Sequence, residues 1–85
     1  MALDILYFAW VRELVGLSSE QVDLSDGVST PRDLAQWLAT RGGGYAEAFA
    51  EPDRLRCALD QRIVAMTDPI AGARELAFFP PVTGG

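Results

Sequence analysis

Thr30-Pro31-Arg32-Asp33-Leu34-Ala35-Gln36-Trp37-Leu38 is the stretch of this chain that spells a substantial helix with its own start signal. Thr30 is a residue type that caps helix starts. Pro31 suits the first helical position, and Asp33 places a carboxylate where the positive end of the helix favours it. Leu34, Trp37 and Leu38 recur at helical spacing as a core stripe, and Gly42 is expected to end the run. One helix of this size covers one face of a sheet, and the flanking sequence on both sides reads as strand. The class is therefore α+β.

Toward the N-terminus, Leu3 to Ala9 alternates, with Leu3, Ile5 and Tyr7 on one face and Asp4, Leu6 and Phe8 on the other. Trp10 to Val15 reads as a short helical turn that Gly16 ends. Glu20 to Leu24 is a second strand, followed by turn residues Ser25-Asp26-Gly27. Toward the C-terminus, Gly42-Gly43-Gly44 is expected to be a flexible connector. It follows a helix and lacks the Lys-Ser/Thr of a phosphate loop, so it reads as a plain loop. Tyr45 to Phe49 is a further short helical piece before Pro52. Leu55, Cys57 and Leu59 alternate as a third strand, Asp60-Gln61 turns, Arg62 to Met66 returns, and Asp68-Pro69 breaks that strand. Glu75 to Phe79 is the last. This order suits a β-grasp arrangement: a mixed sheet of about five strands, one main helix on one face, and the first and last strands parallel at the centre.

Composition narrows the function. Eighty-five residues with 49% hydrophobic and 22% charged content make one small globular domain. No apolar stretch is long enough to cross a bilayer, and the N-terminus lacks the basic start and cleavage site of a signal peptide, so a cytoplasmic location without membrane attachment is expected. The net charge of −5 argues against nucleic acid as a partner and suits a protein with a basic face. Histidine is absent, which removes the usual neutral-pH acid/base and the commonest metal ligand; no metal site and no bound cofactor are expected. Cys57 stands between Leu55 and Leu59 as an inward strand residue, expected to be buried packing. All seven basic residues are arginine, so the chain offers no ε-amino group.

The chemistry is expected at the other end. Residues 1–79 make up the domain, and Pro80-Pro81-Val82-Thr83-Gly84-Gly85 form an extended tail. The prolines lack N–H donors and fix φ, so they stop sheet pairing and push the rest away from the domain as a semi-rigid lever. Gly84 and Gly85 leave bare backbone, thin enough for a narrow pocket, with the α-carboxylate at its tip. Six residues at ~3.3 Å each reach roughly 20 Å. A frayed glycine-rich end is the plainer alternative.

Strand parity also marks a surface. If Asp4 and Glu75 lie on the face away from the helix, Leu6, Phe8, Ala77 and Phe79 share it, and Ile63 joins them beside the root of the tail. Large apolar residues grouped on an exposed face mark an interface. That a short helix or loop covers Leu6 stays open. Phe79, directly before the lever, is the strongest candidate contact.

Two segments, Leu6-Tyr7-Phe8-Ala9-Trp10-Val11-Arg12-Glu13-Leu14-Val15-Gly16 and Glu75 through Gly85, resemble the sulfur carriers of the ubiquitin-like superfamily, specifically the small subunits of molybdopterin synthase. Asp60 departs from the usual Asn, and Ala71-Gly72-Ala73-Arg74 is less acidic than the usual turn. The resemblance implies that a ubiquitin-activating-like enzyme uses ATP to adenylate Gly85, and that a sulfur donor then converts it to a thiocarboxylate. The tail next enters the large catalytic subunit of the synthase, in a heterotetramer, and gives sulfur to cyclic pyranopterin monophosphate. Gly84 would serve threading, and Phe79, Phe8, Ile63, Pro80, Pro81, Val82 and Thr83 partner contact. Carriers for thiamine or tRNA thiolation, and ubiquitin-like protein modifiers, are the alternative readings.

Overall fold

The computed structural model describes residues 2–24 and 27–81. Alternation in the first strand, β1 (Ala2–Tyr7), buries Leu3, Ile5 and Tyr7 and leaves Asp4 exposed and Leu6 half-buried. A short helix, α1 (Ala9–Val15), follows. Gly16 stops it with a φ of 88°, a left-handed conformation that costs glycine little, and its N–H donates to the Arg12 carbonyl. β2 (Ser19–Asp23) runs back antiparallel along β1 and sets Val22 opposite Leu3.

The main helix, α2 (Pro31–Ala39), starts where the sequence said. The Thr30 hydroxyl accepts the Asp33 N–H while the Asp33 carboxylate accepts the Thr30 N–H, a reciprocal capping box. The Ser29 N–H and hydroxyl also donate to Asp33, and these bonds hold its carboxyl below the usual carboxylate range. The helix ends earlier than Gly42. Thr40, Arg41 and Gly42 donate their N–H groups three residues back to Trp37, Leu38 and Ala39, which tightens the chain into a turn there.

Gly43 and Gly44 are not a connector but the first residues of a third helix, α3 (Gly43–Ala48). Glycine disfavours helix by roughly 1 kcal/mol per residue against alanine, so another force holds them there. It is packing against α1: a Cβ built on Gly44 would overlap the Leu14 carbonyl oxygen. Only a residue without a side chain lets the two helices approach this closely.

After a single 3-10 turn (Pro52–Arg54), β3 (Arg56–Leu59) and β4 (Arg62–Val64) form a hairpin closed by Asp60 and Gln61 at φ 48° and 71°. Two left-handed residues in succession match the twist of the flanking strands. β4 stops before Ala65 because Ala65 and Asp68 close a turn, the Asp68 carboxylate accepting the Ala65 N–H at 2.9 Å. β5 (Glu75–Phe79) completes a sheet of order β2-β1-β5-β3-β4, parallel to β1 and antiparallel to β3. The parallel central pair is therefore present. Asp60 locks the hairpin to this strand, its carboxylate accepting the N–H groups of Arg74 and Glu75 at 3.0 Å each.

The core lies between the inner sheet face and the helices. Leu3, Ile5, Cys57, Leu76 and Phe78 meet Val11, Leu34, Leu38 and Phe49, all essentially sealed from solvent. Burying a side chain of this size contributes roughly 1.5–3 kcal/mol. Among the described residues, no helix is long and apolar enough to cross a membrane.

One polar cluster closes the rim of this core. The Tyr7 hydroxyl donates to Glu20 Oε2 at 2.7 Å, the Tyr45 hydroxyl donates to the same oxygen, and Arg41 donates to Oε1 at 2.8 Å. Arg41 also lies over the rings of Trp37 and Tyr45, at 4.8 and 5.0 Å from their centroids. Four segments, β1, β2, α3 and the turn after α2, thus meet at one carboxylate. Partial burial opposes its charge, but the three donors outweigh that and hold the Glu20 carboxyl below the usual range. With the folded value below the unfolded one, this stabilisation is full above the unfolded pKa of about 4.3 and is lost as pH falls through the lower folded value. Glu20→Gln is expected to cost about 1.5 kcal/mol at pH 7, with the gap closing under acid. Urea titrations of both proteins at pH 7 and pH 3 test this, and an equal gap at the two pH values would refute it.

Candidate functional site

The root of the tail sits in the middle of the sheet. β5 is flanked by β1 and β3, so the chain leaves between two strands that are themselves held on their far sides by β2 and β4. Phe79 is the last strand residue, Pro80 is half-buried and Pro81 exposed. Neither proline can donate to a neighbouring strand, which ends pairing at this point. The sites expected at Val82, Thr83, Gly84 and Gly85 lie outside the described residues.

The pairing register arranges the outer face in rows. Leu6, Ala77, Ala58 and Ile63 stand side by side across β1, β5, β3 and β4. At ~4.8 Å per strand this row spans roughly 14 Å. Ile63, on the edge strand, is 77% exposed, whereas Ala77, on the central strand between Leu6 and Ala58, is 7% exposed. One step toward the tail, Phe79 faces Arg56 on β3, and the Phe8 N–H donates to the Phe78 carbonyl at 3.2 Å, which sets Phe8 beside the strand end. Phe8 is 45% exposed and Phe79 is half-buried. One step away from the tail, Asp4 pairs with Glu75, and Gln21 donates to Asp4 at 3.0 Å. The face thus grades from aromatic at the tail root, through aliphatic, to acidic at the far end.

The structure brings Phe8, Phe79, Pro80 and Pro81 together at one end of the sheet, and places Ile63 on the same face at its edge. Three neighbours of the tail root were not singled out from sequence. Trp10 and Arg54 line a cleft of about 320 Å³ with Pro80 and Pro81. A second cleft of about 330 Å³ continues from the same two residues along Glu47, Ala48 and Glu51. Arg56 is the third, its guanidinium donating to the Leu55 carbonyl at 3.0 Å. Its outward direction was readable from the alternation with Leu55 and Cys57, but its place beside Phe79 depends on a register between residues far apart in the chain.

Burial and the Asp68 charge push the Cys57 thiol up to about 11, and the residue is sealed in the core. Among the described residues, no group of three or more histidine, cysteine, aspartate or glutamate side chains could hold a metal ion. What the arrangement provides is a rigid platform with a graded apolar face and an exit for the chain at its centre.

Comparisons with known proteins bear on the whole chain. Residues 5–85 match the model of the ThiS family. The chain is 39% identical over 83 residues to the molybdopterin synthase sulfur carrier subunit of Escherichia coli, covering 98% of this chain and 99% of the relative. It is 36% identical, over the same shares of both chains, to the subunit of that name from Haemophilus influenzae. Among solved structures, the putative molybdopterin converting factor subunit 1 from Pyrococcus furiosus superposes with a TM-score of 0.72 at 26% identity, covering 96% of this chain and 99% of that one. Small archaeal modifier protein 1 from Haloferax volcanii superposes with a TM-score of 0.69 at 26% identity, covering 95% and 98%. With a match that runs from inside β1 through Gly85, on a sheet whose central strand leads into that segment, this chain belongs to the ThiS family.

Proposed function

We propose that this chain is the sulfur-carrier subunit of molybdopterin synthase. The observation that carries the reading is similarity over the full length of relatives that bear this name, at 36 and 39% identity. The fold supports it, because β5 ends at Phe79 in the centre of the sheet and is followed by Pro80-Pro81, which cannot continue the pairing. The chemistry belongs to the terminal carboxyl of Gly85. A carboxylate is a poor electrophile. In an activating partner, one of its oxygens attacks the α-phosphate of ATP, pyrophosphate leaves, and the carboxyl becomes a mixed anhydride with AMP. A sulfur donor displaces AMP and leaves a thiocarboxylate, whose sulfur is the better nucleophile. The large synthase subunit then receives the tail, and sulfur passes to cyclic pyranopterin monophosphate to build the dithiolene.

Gly84 serves threading, and Phe79, Phe8, Ile63 and the segment Pro80 to Thr83 meet the partner. Phe79→Ala is expected to weaken binding to the large subunit or the activating enzyme by about 1 kcal/mol or more, roughly fivefold in Kd. Calorimetry that finds unchanged affinity for both would move the interface off this face.

The reading as a whole is tested by incubating the chain with activating enzyme, ATP and a sulfur source, followed by intact mass measurement. Replacement of one terminal oxygen by sulfur, and dithiolene formation once the large subunit is added, are the expected results. The structural likeness to a protein named as a modifier supports a second reading, amide linkage to lysines of targets. The same incubation with cell extract separates them, since a modifier yields lysine-linked conjugates.

A further inference from the structure

We propose that this carrier is closed to attack by its own side chains, so that none of them competes for the activated carboxyl with the nucleophile that another protein supplies. The proposal rests on the carrier reading above and assigns a role to features that reading leaves unused. An acyl group activated at the end of a segment tethered to its own domain meets that domain at high effective concentration, in the millimolar range for short linkers. Any exposed amine or thiolate nearby would capture it. Attack by a lysine would form an amide, release the activating group, shed the amine's proton to solvent and destroy the carrier.

Each class of side-chain nucleophile that attacks without a helping base, amine, imidazole and thiolate, is missing or sealed. The chain has no lysine and no histidine. Its seven arginines keep their protons at any physiological pH and do not acylate. Cys57 is fully buried, its Sγ directed at the Val64 carbonyl at 3.6 Å, and with a pKa near 11 only about one thiol in ten thousand is ionised at pH 7. Tyr7 and Tyr45 both spend their hydroxyl protons on Glu20, and burial together with that carboxylate raises both phenols. Serine and threonine need a base to attack, and the usual base is absent. One carboxylate therefore silences two phenols, and the core silences the thiol. The only amine left is the backbone α-amine.

A chain bearing a chemically installed C-terminal thioester, made by intein cleavage, tests this without any activating enzyme. The native protein is compared with the Arg54→Lys/Arg62→Lys variant, both positions being exposed and the charge preserved. At pH 9 about 4% of lysine amines are neutral. Attack there forms an amide, breaks the C–S bond and releases the thiol. The native chain is expected to lose its thioester only to water and to the α-amine, while the variant also forms lysine-linked internal and dimeric amides and loses thioester severalfold faster, as read by intact mass and peptide mapping. Side-chain-linked conjugates of the native chain would overturn the proposal, and so would an equal, conjugate-free decay of the two proteins. Failure of the carrier reading shows elsewhere, as an absence of ATP-dependent thiocarboxylate.

Discussion

Gly85→Ala is expected to lower sulfur transfer by about a hundredfold or more while leaving the thermal midpoint of the domain unchanged. In the proposed mechanism the methyl group would stand next to the reacting carbonyl, where two different partner sites would each close around backbone. Displacing that carbonyl by about an ångström removes the alignment on which both adenylation and delivery depend. Stability is expected to be untouched because, among the described residues, the buried core runs from Leu3 to Phe78. Thiocarboxylate formation measured by intact mass, and dithiolene formation in reconstituted synthase, separate the two steps. Wild-type rates in both would remove the terminal glycine from the mechanism, and a lowered midpoint would show that the tail holds the domain together.

Gly44→Ala is expected to have the largest effect on folding, a loss of about 3 kcal/mol or more. The added Cβ meets backbone, the Leu14 carbonyl, and not the yielding tip of a side chain. Relief requires α1 and α3 to part, which would open the core around Val11, Ala48 and Phe49 and pull Tyr45 from Glu20. By helix propensity alone the same change would stabilise α3 by roughly 1 kcal/mol, so the two effects oppose each other and the sign of the result decides between them. Denaturant midpoints are the measurement. A neutral or stabilising outcome would mean that the helices are not held as close as the structure places them.

That glycine also marks the boundary of what could be read in the chain itself. Strand parity was legible wherever one face is buried: Leu3, Ile5 and Tyr7 point inward as their spacing required. The start of α2 was legible because capping is local, confined to Thr30, Pro31 and Asp33. Asp60-Gln61 announced a turn for the same reason. Features set by distant partners were not legible. Gly43 and Gly44 look like a hinge until Leu14 is known to lie against them. Glu20 reads as a polar residue at the start of a strand, and nothing near it in sequence shows that Tyr7, Arg41 and Tyr45 converge on it from 13 to 25 residues away. At the candidate site, Phe8 and Phe79 were read from parity and the prolines from their chemistry, whereas Trp10, Arg54 and Arg56 became neighbours of the tail root only through tertiary packing.

The position of β5 has a bearing on synthesis. It is the last strand to leave the ribosome, yet it occupies the centre of the sheet between the first strand and the third. A nascent chain lacking it leaves β1 and β3 with open edges and no shared partner, a state that cannot close its core and is exposed to proteases. The sheet is therefore completed only after translation has passed Phe79, on the threshold of the segment proposed to carry the chemistry. A product terminated before β5 lacks the central strand of the sheet and is expected to behave as unfolded polypeptide, open to proteolysis.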